Sequence, residues 1–464
     1  MSPVQASLLL FTLSGQLAEP GAVVLSLLEG DQVEDYYGWV AANLPDVDGD
    51  GVDDLIIPAI GYDNGAGRVT VYSGATRAVL ADIVGVPGTL YGYSVGAAGD
   101  VDADGVPDYI VGGGRVEVFS GATHHLLWSL GGITGFAHSV GGAGDVDGDG
   151  HDDVIVGAQR TDTTTVATGQ VFVFSGASGL PLWTRDGASA RALFGSAVGA
   201  VGDVNGDCVP DVVVGAYGAK RAYILSGRDG ATLHELAPED PARSPTFGRF
   251  FASGAGDVDR DGWPDVFIGD YAANARGADG TGQAYVFSGR TGQRLHLFTG
   301  VHPGDGLGPG RGIPDVNGDH HADVLVAAYT NGDGAPAAGK AYLFSGRSGA
   351  LLRTFTATLQ GDNFGVDALS MGDVDRDGHD DFLVTAVGLA FEGLDHGRAY
   401  LIAGAPLPCP ADLDGDRRVG ILDLVRLLRA TRTQAAAGDL DGDGDVDAED
   451  VSVLLEDWGR CPRR

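Results

Sequence analysis

Basic residues are scarce in this chain of 464 residues, which contains 29 Lys and Arg against 64 Asp and Glu and carries a formal net charge of −35. A chain this acidic lacks the basic face that phosphate contacts need, which excludes nucleic-acid binding as its main role. The charge also disfavours adhesion to an anionic membrane surface. Only two lysines, Lys220 and Lys340, are present, which argues against Lys-dependent catalysis.

Long hydrophobic runs are also missing. No stretch reaches the roughly 18 apolar residues that a membrane-spanning helix needs, so the sequence predicts no transmembrane segment. Residues 1–20 contain a short apolar run, Ala6–Leu13, with no Lys or Arg before it. This N-terminal extension fits either the remnant of a secretory signal or an extra β-strand.

Cysteine is equally sparse, with three residues in the chain. Cys409 and Cys461 bracket the C-terminal segment, which favours a disulfide clasp and an oxidising compartment, with two unpaired thiols as the alternative. Cys208 stands alone. We therefore expect a secreted or cell-surface protein.

Aspartate and glycine are abundant instead, with 55 Asp against 9 Glu, and 77 Gly. Helical surfaces usually favour Glu, whereas Asp and Gly are typical of turns and of oxygen-rich cation loops. Because 44% of the residues are hydrophobic, the chain has enough apolar material for a core. The composition predicts many turns between short strands.

A nine-residue segment, DVDGDGVDD in its first copy, recurs seven times. The copies begin at Asp46, Asp100, Asp145, Asp203, Asp257, Asp315 and Asp373. Most follow an aromatic–glycine pair such as Phe194-Gly195, and each precedes an apolar run such as Val212–Ala216 and then an alternating strand. Four short strands per repeat of this length are the signature of a β-propeller blade. The sequence therefore predicts an all-β, seven-bladed β-propeller over residues 21–405.

The last predicted blade is incomplete, because the third strand at 398–404 has no fourth strand after it. Residues 22–30 form a strand-like run with no blade before it. We expect this run to pair with residues 397–403 and close the ring, which removes an exposed sheet edge.

These repeats resemble the FG-GAP repeats of the integrin α-subunit propeller and of its bacterial relatives, over about residues 20–405. The pattern departs at Phe136-Ala137 and at Leu307-Gly308, where the aromatic–glycine pair is broken but the acidic loop is intact. The resemblance implies a propeller that acts in ligand binding or adhesion.

Each repeated segment places carboxylates in the spacing of a Ca²⁺ loop. Positions 1, 3, 5 and 9 carry Asp or Asn, position 6 is usually a glycine that permits positive φ, and position 7 offers its backbone carbonyl. Hard oxygen donors suit Ca²⁺, and seven loops in one register disfavour the alternative of solvated polar hairpins. The predicted ligands are Asp46, Asp48, Asp50, Val52, Asp54, Asp100, Asp102, Asp104, Val106, Asp108, Asp145, Asp147, Asp149, His151, Asp153, Asp203, Asn205, Asp207, Val209, Asp211, Asp257, Asp259, Asp261, Trp263, Asp265, Asp315, Asn317, Asp319, His321, Asp323, Asp373, Asp375, Asp377, His379 and Asp381.

The seven loops are not equivalent. Loop 4 has Asn205 at position 3 and Cys208 in place of the glycine, and loop 6 has Asn317 and His320 at those places. We predict that these two loops bind calcium most weakly. Calcium should pin the hairpin between the first and second strands of each blade.

A second module, residues 411–464, follows a proline-rich linker at 406–410. Two acidic loops each run into a helix, with position 12 rather than 9 as the last ligand, which is typical of EF-hand-like loops. Apolar residues at helical spacing follow, at Ile421, Leu424, Val425 and Leu428 and at Val451, Leu454, Leu455 and Trp458. The predicted ligands of up to two further Ca²⁺ ions are Asp412, Asp414, Asp416, Arg418, Asp423, Asp439, Asp441, Asp443, Asp445, Asp447 and Asp450.

The duplicated loop–helix units, with Asp at position 12, resemble a type I dockerin. Loop one departs from the pattern, with Arg417 in place of a glycine. The resemblance implies a cohesin-like scaffold partner and places the recognition pairs at Ile421-Leu422 and Ala448-Glu449. A calcium-stabilised cap without a cohesin is the alternative.

A ligand site is expected on the propeller face opposite the acidic hairpins. Tyr217, Tyr271 and Tyr329 share one register at the start of loops on that face, and packing between blades is the alternative role for them. The candidate nucleophile elbow at 92–96 is explained by the repeat, and no other catalytic motif is complete. The sequence favours a module that binds a protein or a glycan. One alternative is a carbohydrate-active enzyme (polysaccharide lyase or glycoside hydrolase) or a component of a polysaccharide-degrading complex, and another is a passive surface protein.

Overall fold

The computed structural model describes residues 17–19, 22–131, 137–161, 166–277, 279–388, 396–404, 413, 419–433, 440 and 446–456. Its strands run in chain order as β1 (Val24–Glu29), β2 (Ala42–Leu44), β3 (Asp54–Ala59), β4 (Arg68–Tyr72), β5 (Val79–Val84), β6 (Ser94–Gly99), β7 (Asp108–Gly113), β8 (Arg115–Phe119), β9 (Leu126–Gly131), β10 (Ser139–Gly144), β11 (Asp153–Ala158), β12 (Gln170–Phe174), β13 (Pro181–Asp186) and β14 (Phe194–Gly202). They continue as β15 (Asp211–Ala216), β16 (Arg221–Leu225), β17 (Thr232–Leu236), β18 (Ala252–Gly256), β19 (Asp265–Asp270), β20 (Gln283–Phe287), β21 (Arg294–Thr299), β22 (Leu307–Ile313), β23 (Asp323–Ala328), β24 (Lys340–Phe344), β25 (Leu351–Thr356), β26 (Phe364–Gly372), β27 (Asp381–Ala386) and β28 (Arg398–Ile402). The helices are α1 (Tyr62–Gly65), α2 (Ile421–Thr433) and α3 (Ala448–Glu456).

The strands form seven four-stranded antiparallel sheets, and each repeat folds into one sheet, which confirms the predicted seven-bladed propeller. The first strand of each blade contacts the first strands of both neighbouring blades, so these strands surround the central axis. The second strands are buried along their whole length. Seven hydrophobic clusters each join two adjacent blades, so the core is a ring of interfaces.

Strand β1 closes the ring, as the sequence predicts. It pairs with β28 in a sheet of order β1-β28-β27-β26, from Val24 opposite Ile402 to Glu29 opposite Arg398. The last blade is thus built from both ends of the propeller segment, which leaves no unpaired third strand.

The aromatic–glycine pair lies at or just before the start of the first strand of a blade. The aromatic ring is buried between blades, and Tyr91 and Phe247 are no more than 1% exposed. The glycine after Tyr91 has φ +85°, and a Cβ there would lie 2.6 Å from the Cβ of Pro58 in the preceding blade. Ala137 at φ +60° and the buried Leu307 replace the missing members of the two broken pairs.

Side chains on the fourth strands of blades 2 to 5 tie each of these blades to the next. Trp128 and Trp183 donate indole N–H groups to the carbonyls of Gly176 and Gly227, at 3.0 and 2.6 Å. His234 and His296 occupy the same register and contact backbone carbonyls of the following blade. These repeated bonds fix the angle between neighbouring sheets.

The two C-terminal helices pack on each other through part of each predicted apolar stripe, because Leu454 is buried and Leu424 and Val451 pack against the same cluster. Leu427 and Leu454 are fully buried between them, together with Val419 and Val446 from the preceding loops. Because the helices are short, each buries only a narrow stripe of side chains. Contact with Val419 and Val446 determines which stripe is buried. The apolar positions Ile421, Val425, Leu428 and Leu455 are exposed, and Trp458 lies outside the described residues.

Candidate functional site

The ninth residue of each acidic loop anchors that loop. Each of these carboxylates is fully buried, and one oxygen accepts the backbone N–H of the second loop residue at 2.7–3.0 Å. The other oxygen accepts the N–H of a glycine just after the third strand, at 2.7–3.1 Å. One side chain therefore joins the acidic loop to the turn after the third strand. This explains why the acidic segment and the glycine of that turn recur together in each repeat. The seven anchors are Asp54, Asp108, Asp153, Asp211, Asp265, Asp323 and Asp381.

The first Asp of each loop folds the backbone around its own carboxylate. In loop 1, Asp46 Oδ1 accepts the N–H groups of Gly49 and Asp50 at 2.7 and 3.0 Å, and its Oδ2 accepts that of Gly51 at 2.7 Å. Asp48 and Asp50 accept further loop amides, and the other loops repeat this pattern. These bonds hold the carboxylates on one side of the turn.

The carboxylates converge closely enough to share a metal ion. In five loops, three carboxylate oxygens lie within 4.8 Å of one another. Such all-oxygen donor sets fit a hard divalent cation. The sets are Asp46, Asp48 and Asp50; Asp100, Asp102 and Asp108; Asp145, Asp147 and Asp153; Asp257, Asp259 and Asp265; and Asp373, Asp375 and Asp381.

Loops 4 and 6 differ from the other five in a way that the sequence indicates. The Oδ1 atoms of Asn205 and Asn317 take the same backbone bonds as the Asp of other loops, but their Nδ2 groups point at the anchor carboxylates of Asp211 and Asp323, at 3.4 Å. An amide there supplies one oxygen fewer and places a donor beside the ligands. At position 6, where the other five loops have a glycine at positive φ, these two loops place Cys208 at φ +64° and His320 at φ +70°.

Burial raises the pKa of all seven anchors, and neighbouring loop carboxylates add to the effect. The pKa rises to about 7 at Asp265 and Asp323 and to about 6 at Asp108, Asp153, Asp211 and Asp381. Backbone N–H donors act in the opposite direction but do not cancel the loss of hydration. When such a buried carboxylate is ionised, a bound cation is the group that best stabilises it.

Two histidines at position 7 have a role that sequence reasoning missed. His151 Nδ1 lies 2.8 Å from the carbonyl oxygen of Val101, and His321 Nδ1 lies 2.8 Å from that of Val258. In both cases the carbonyl belongs to the acidic loop of the preceding blade. These side chains therefore link neighbouring cation loops, although only their backbone carbonyls were predicted to act.

A cavity of about 650 Å³ runs along the propeller axis and is lined by the first strands. Its opening opposite the acidic loops carries a set of rings, which we call the aromatic mouth: Trp39, Tyr93, His138, Phe250, Tyr271 and Tyr329. Neighbouring ring centroids are 4.9–6.4 Å apart, so the six rings form one connected surface. All six are partly exposed.

Two of the three tyrosines named from the sequence lie in the aromatic mouth, namely Tyr271 and Tyr329. Tyr217 lies beside the mouth, where the Arg249 guanidinium stacks 5.3 Å from its ring centroid. Arg249 also stacks 4.9 Å from the centroid of Phe250 and donates to Tyr271 Oη at 2.8 Å.

The other four rings of the mouth were not predicted from the sequence, although they share one position relative to the acidic loop. Trp39, Tyr93, His138 and Phe250 each stand seven residues before the first Asp of their acidic loop. Ser196 and Val366 occupy the same register in two other blades, so one side of the mouth lacks aromatic rings.

Inside the cavity, Arg311 of blade 6 pairs with Asp367 of blade 7 at 2.5 Å. Asp367 is nearly buried and also accepts the backbone N–H of Ala41 in blade 1, at 3.1 Å. This carboxylate thus connects three blades at the point where the ring closes.

In the C-terminal module, Asp423 and Asp450 act as helix caps. Asp423 accepts the N–H of Gly420 at 2.8 Å, and Asp450 accepts that of Asp447 at 2.6 Å, so each carboxylate reaches back to the residue before its helix. The other calls in this module lie outside the described residues: Cys409 and Cys461, the linker at 406–410, and Asp412, Asp414, Asp416, Arg418, Asp439, Asp441, Asp443 and Asp445.

Comparison with known proteins identifies the repeats. Residues 203–268 match the FG-GAP-like repeat model, and residues 136–174 match the FG-GAP repeat model. The chain is 32% identical to mouse (Mus musculus) integrin alpha-IIb over 169 residues, which cover 32% of the chain and 16% of the integrin. It is 29% identical to chicken (Gallus gallus) integrin alpha-V over 230 residues, 45% of the chain and 21% of the integrin.

The match to Xenopus laevis integrin alpha-5 is the longest of these three, at 28% identity over 246 residues. It covers 48% of the chain and 23% of that integrin, so the similarity spans less than a quarter of each relative. No helix among the described residues is long and apolar enough to cross a membrane. The chain carries FG-GAP repeats folded as a seven-bladed β-propeller similar to part of the integrin α subunits, with acidic loops that could hold metal ions.

Proposed function

We propose that this protein is an extracellular ligand-binding or adhesion module whose propeller is loaded with Ca²⁺ and binds its ligand at the aromatic mouth. The observation that carries the proposal is the partly exposed aromatic mouth over a cavity of about 650 Å³. Protein ligand sites are concave, of this size, and lined by apolar and aromatic groups with a few polar ones.

In this proposal calcium supports the site from a distance. Up to seven Ca²⁺ ions would lie in the hairpins between first and second strands, at the end of the channel opposite the mouth. Each ion would neutralise carboxylates that burial otherwise disfavours. The ions would keep the first strands in place and thereby keep the rings of the mouth at their spacing.

The C-terminal module would tether the propeller to a cohesin-like scaffold. The support is an exposed apolar stripe on α2, where Ile421 and Leu422 are 69% and 60% exposed and Val425 and Leu428 follow on the same side. Exposed apolar surface of this kind is typical of a docking face. The stripe includes the recognition pair that the dockerin resemblance names. Up to two Ca²⁺ ions would stabilise this module.

An array of glycans and extracellular proteins, probed with the full chain in calcium, tests the proposal. We expect binding that is lost in Trp39→Ala and Tyr93→Ala and retained in Trp183→Phe, which alters a tryptophan on an outer strand. Release of reducing ends from a bound polysaccharide would support the enzyme alternative instead. Retention of binding in both mouth variants would refute the proposed site.

A further inference from the structure

Positive charge gathers at the aromatic mouth of a protein whose formal net charge is −35. Arg249 lies between the rings of Tyr217 and Phe250. Arg160 comes just after β11, on the loop beside His138. Both arginines lower the pKa of His138, so both lie within electrostatic range of the mouth.

Arg249 is held in place by rings rather than by a carboxylate. Its Nη1 donates to Tyr271 Oη, and its guanidinium stacks on two rings. Among the described residues, no Asp or Glu forms an ion pair with Arg249. Because stacking leaves the edge of a guanidinium able to donate, Arg249 is positioned to receive an anion.

Other charges near the mouth do not offset Arg249. Arg311 is paired with Asp367, so the pair adds no net charge to the cavity. Asp53, which lines the cavity, belongs to the acidic loop of blade 1 and so lies at the far end. His138 is neutral, because burial and the two arginines lower its pKa to about 4. The mouth is therefore an uncharged aromatic surface with cationic groups beside it.

We propose that the aromatic mouth binds an acidic carbohydrate, with sugar rings stacked on its aromatic faces and a carboxylate or sulfate on Arg249. This inference rests on the proposed function and names the ligand class for the same site. The connected rings suit the C–H faces of pyranoses, and Arg is the side chain that best matches a carboxylate or sulfate. A peptide is the alternative occupant, because the first strand of each blade is the inner edge strand of its sheet, and the acidic peptide in the test below decides between the two.

Calorimetric titration of the full chain in calcium tests this assignment. The probes are tetragalacturonate, its methyl ester, a sulfated tetrasaccharide and an acidic peptide. We expect tetragalacturonate or the sulfated sugar to bind at least tenfold more tightly than the neutral ester. Arg249→Gln should abolish that difference, whereas Arg249→Lys should keep part of it. Arg290→Gln, beside Trp263 on the acidic-loop face, is the matched control and should change nothing.

Trp39 fluorescence gives an independent readout, because uronates also bind free calcium. Quenching that disappears in Trp39→Phe would place the sugar at the mouth. Equal binding of the ester and the acid would overturn the acidic ligand class while leaving a glycan-binding propeller. Binding of the peptide alone would overturn the carbohydrate assignment but leave a ligand-binding mouth. Binding of no probe by the wild-type chain, together with an empty array, would overturn this inference and the proposed function together.

Discussion

The buried anchors of the acidic loops should make the metal-free protein less stable as the pH rises. Asp265 is fully buried and its pKa is raised to about 7, from an ordinary value near 4. A group whose pKa is higher in the folded state keeps a proton that the unfolded chain has lost. The free energy of unfolding therefore falls between about pH 4 and pH 7, by roughly 1.4 kcal/mol per pH unit for each proton.

The size of the effect follows from these shifts. Ionisation of Asp265 without a cation costs about 4 kcal/mol, and ionisation of Asp153, with a pKa of about 6, costs about 3 kcal/mol. Typical domains have a total stability of about 5–15 kcal/mol, so a few such sites decide whether the protein stays folded. His138 acts in the opposite direction because its pKa is lowered to about 4, but it is one group against seven anchors.

Urea unfolding of protein stripped of metal over a chelating resin, at pH 5 and pH 8, measures this effect. We expect the stripped protein to unfold at a lower urea concentration at pH 8, and the calcium-loaded protein to lose most of that dependence. Asp265→Asn should reduce the change in the unfolding free energy of the stripped protein with pH by the contribution of about one proton. Asp82→Asn, at an exposed ion pair, is the control and should not reduce it. Equal stability of the stripped protein at both pH values, or equal pH dependence with and without calcium, would refute the reasoning.

Four further predictions concern single features of the fold. Cys208→Gly should raise the free energy of unfolding by about 1 kcal/mol, because glycine adopts positive φ without strain, and an unchanged urea midpoint would contradict this. Asn205→Asp should tighten calcium binding at loop 4 by adding a carboxylate oxygen and removing the Nδ2 donor near Asp211, which calorimetry would detect as one stronger site. Trp183→Phe should cost about 1 kcal/mol, because the carbonyl of Gly227 loses its donor, and a melting temperature equal to wild type would show that this tie between blades is not needed. Deleting residues 1–30 should lower the melting temperature and cause association on size-exclusion chromatography, since β28 becomes an open edge; an unchanged monomer would argue against ring closure as a source of stability.

Much of the fold can be predicted from the repeated sequence alone. The number of blades, the order of strands, the acidic hairpins and the closing role of β1 all depend on local patterns. An Asp loop forms from hydrogen bonds within nine residues, as around Asp46, and strand alternation selects the buried side of each sheet. Such features repeat wherever the local sequence repeats.

Contacts between distant residues could not be predicted in the same way. The inward stripe of α2 depends on which side chains of α3 and of the loops reach it, and it runs through Leu427 rather than through Ile421. The predicted tyrosines marked part of the mouth. The register of Trp39 and Phe250 was visible, but not that their rings would meet, because they lie in blades 1 and 5, more than 200 residues apart.

Local sequence alone is enough to predict a ring of seven similar sheets with acidic turns, because those features require only neighbouring residues and a repeated pattern. The residues that meet at the centre of that ring depend on the folded structure. Closing the ring brings the first strands together around one axis, so four rings in a single register, two tyrosines from other loops and Arg249 become one surface. That closure also places Arg249 at the mouth of a very acidic protein. No carboxylate among the described residues forms an ion pair with it.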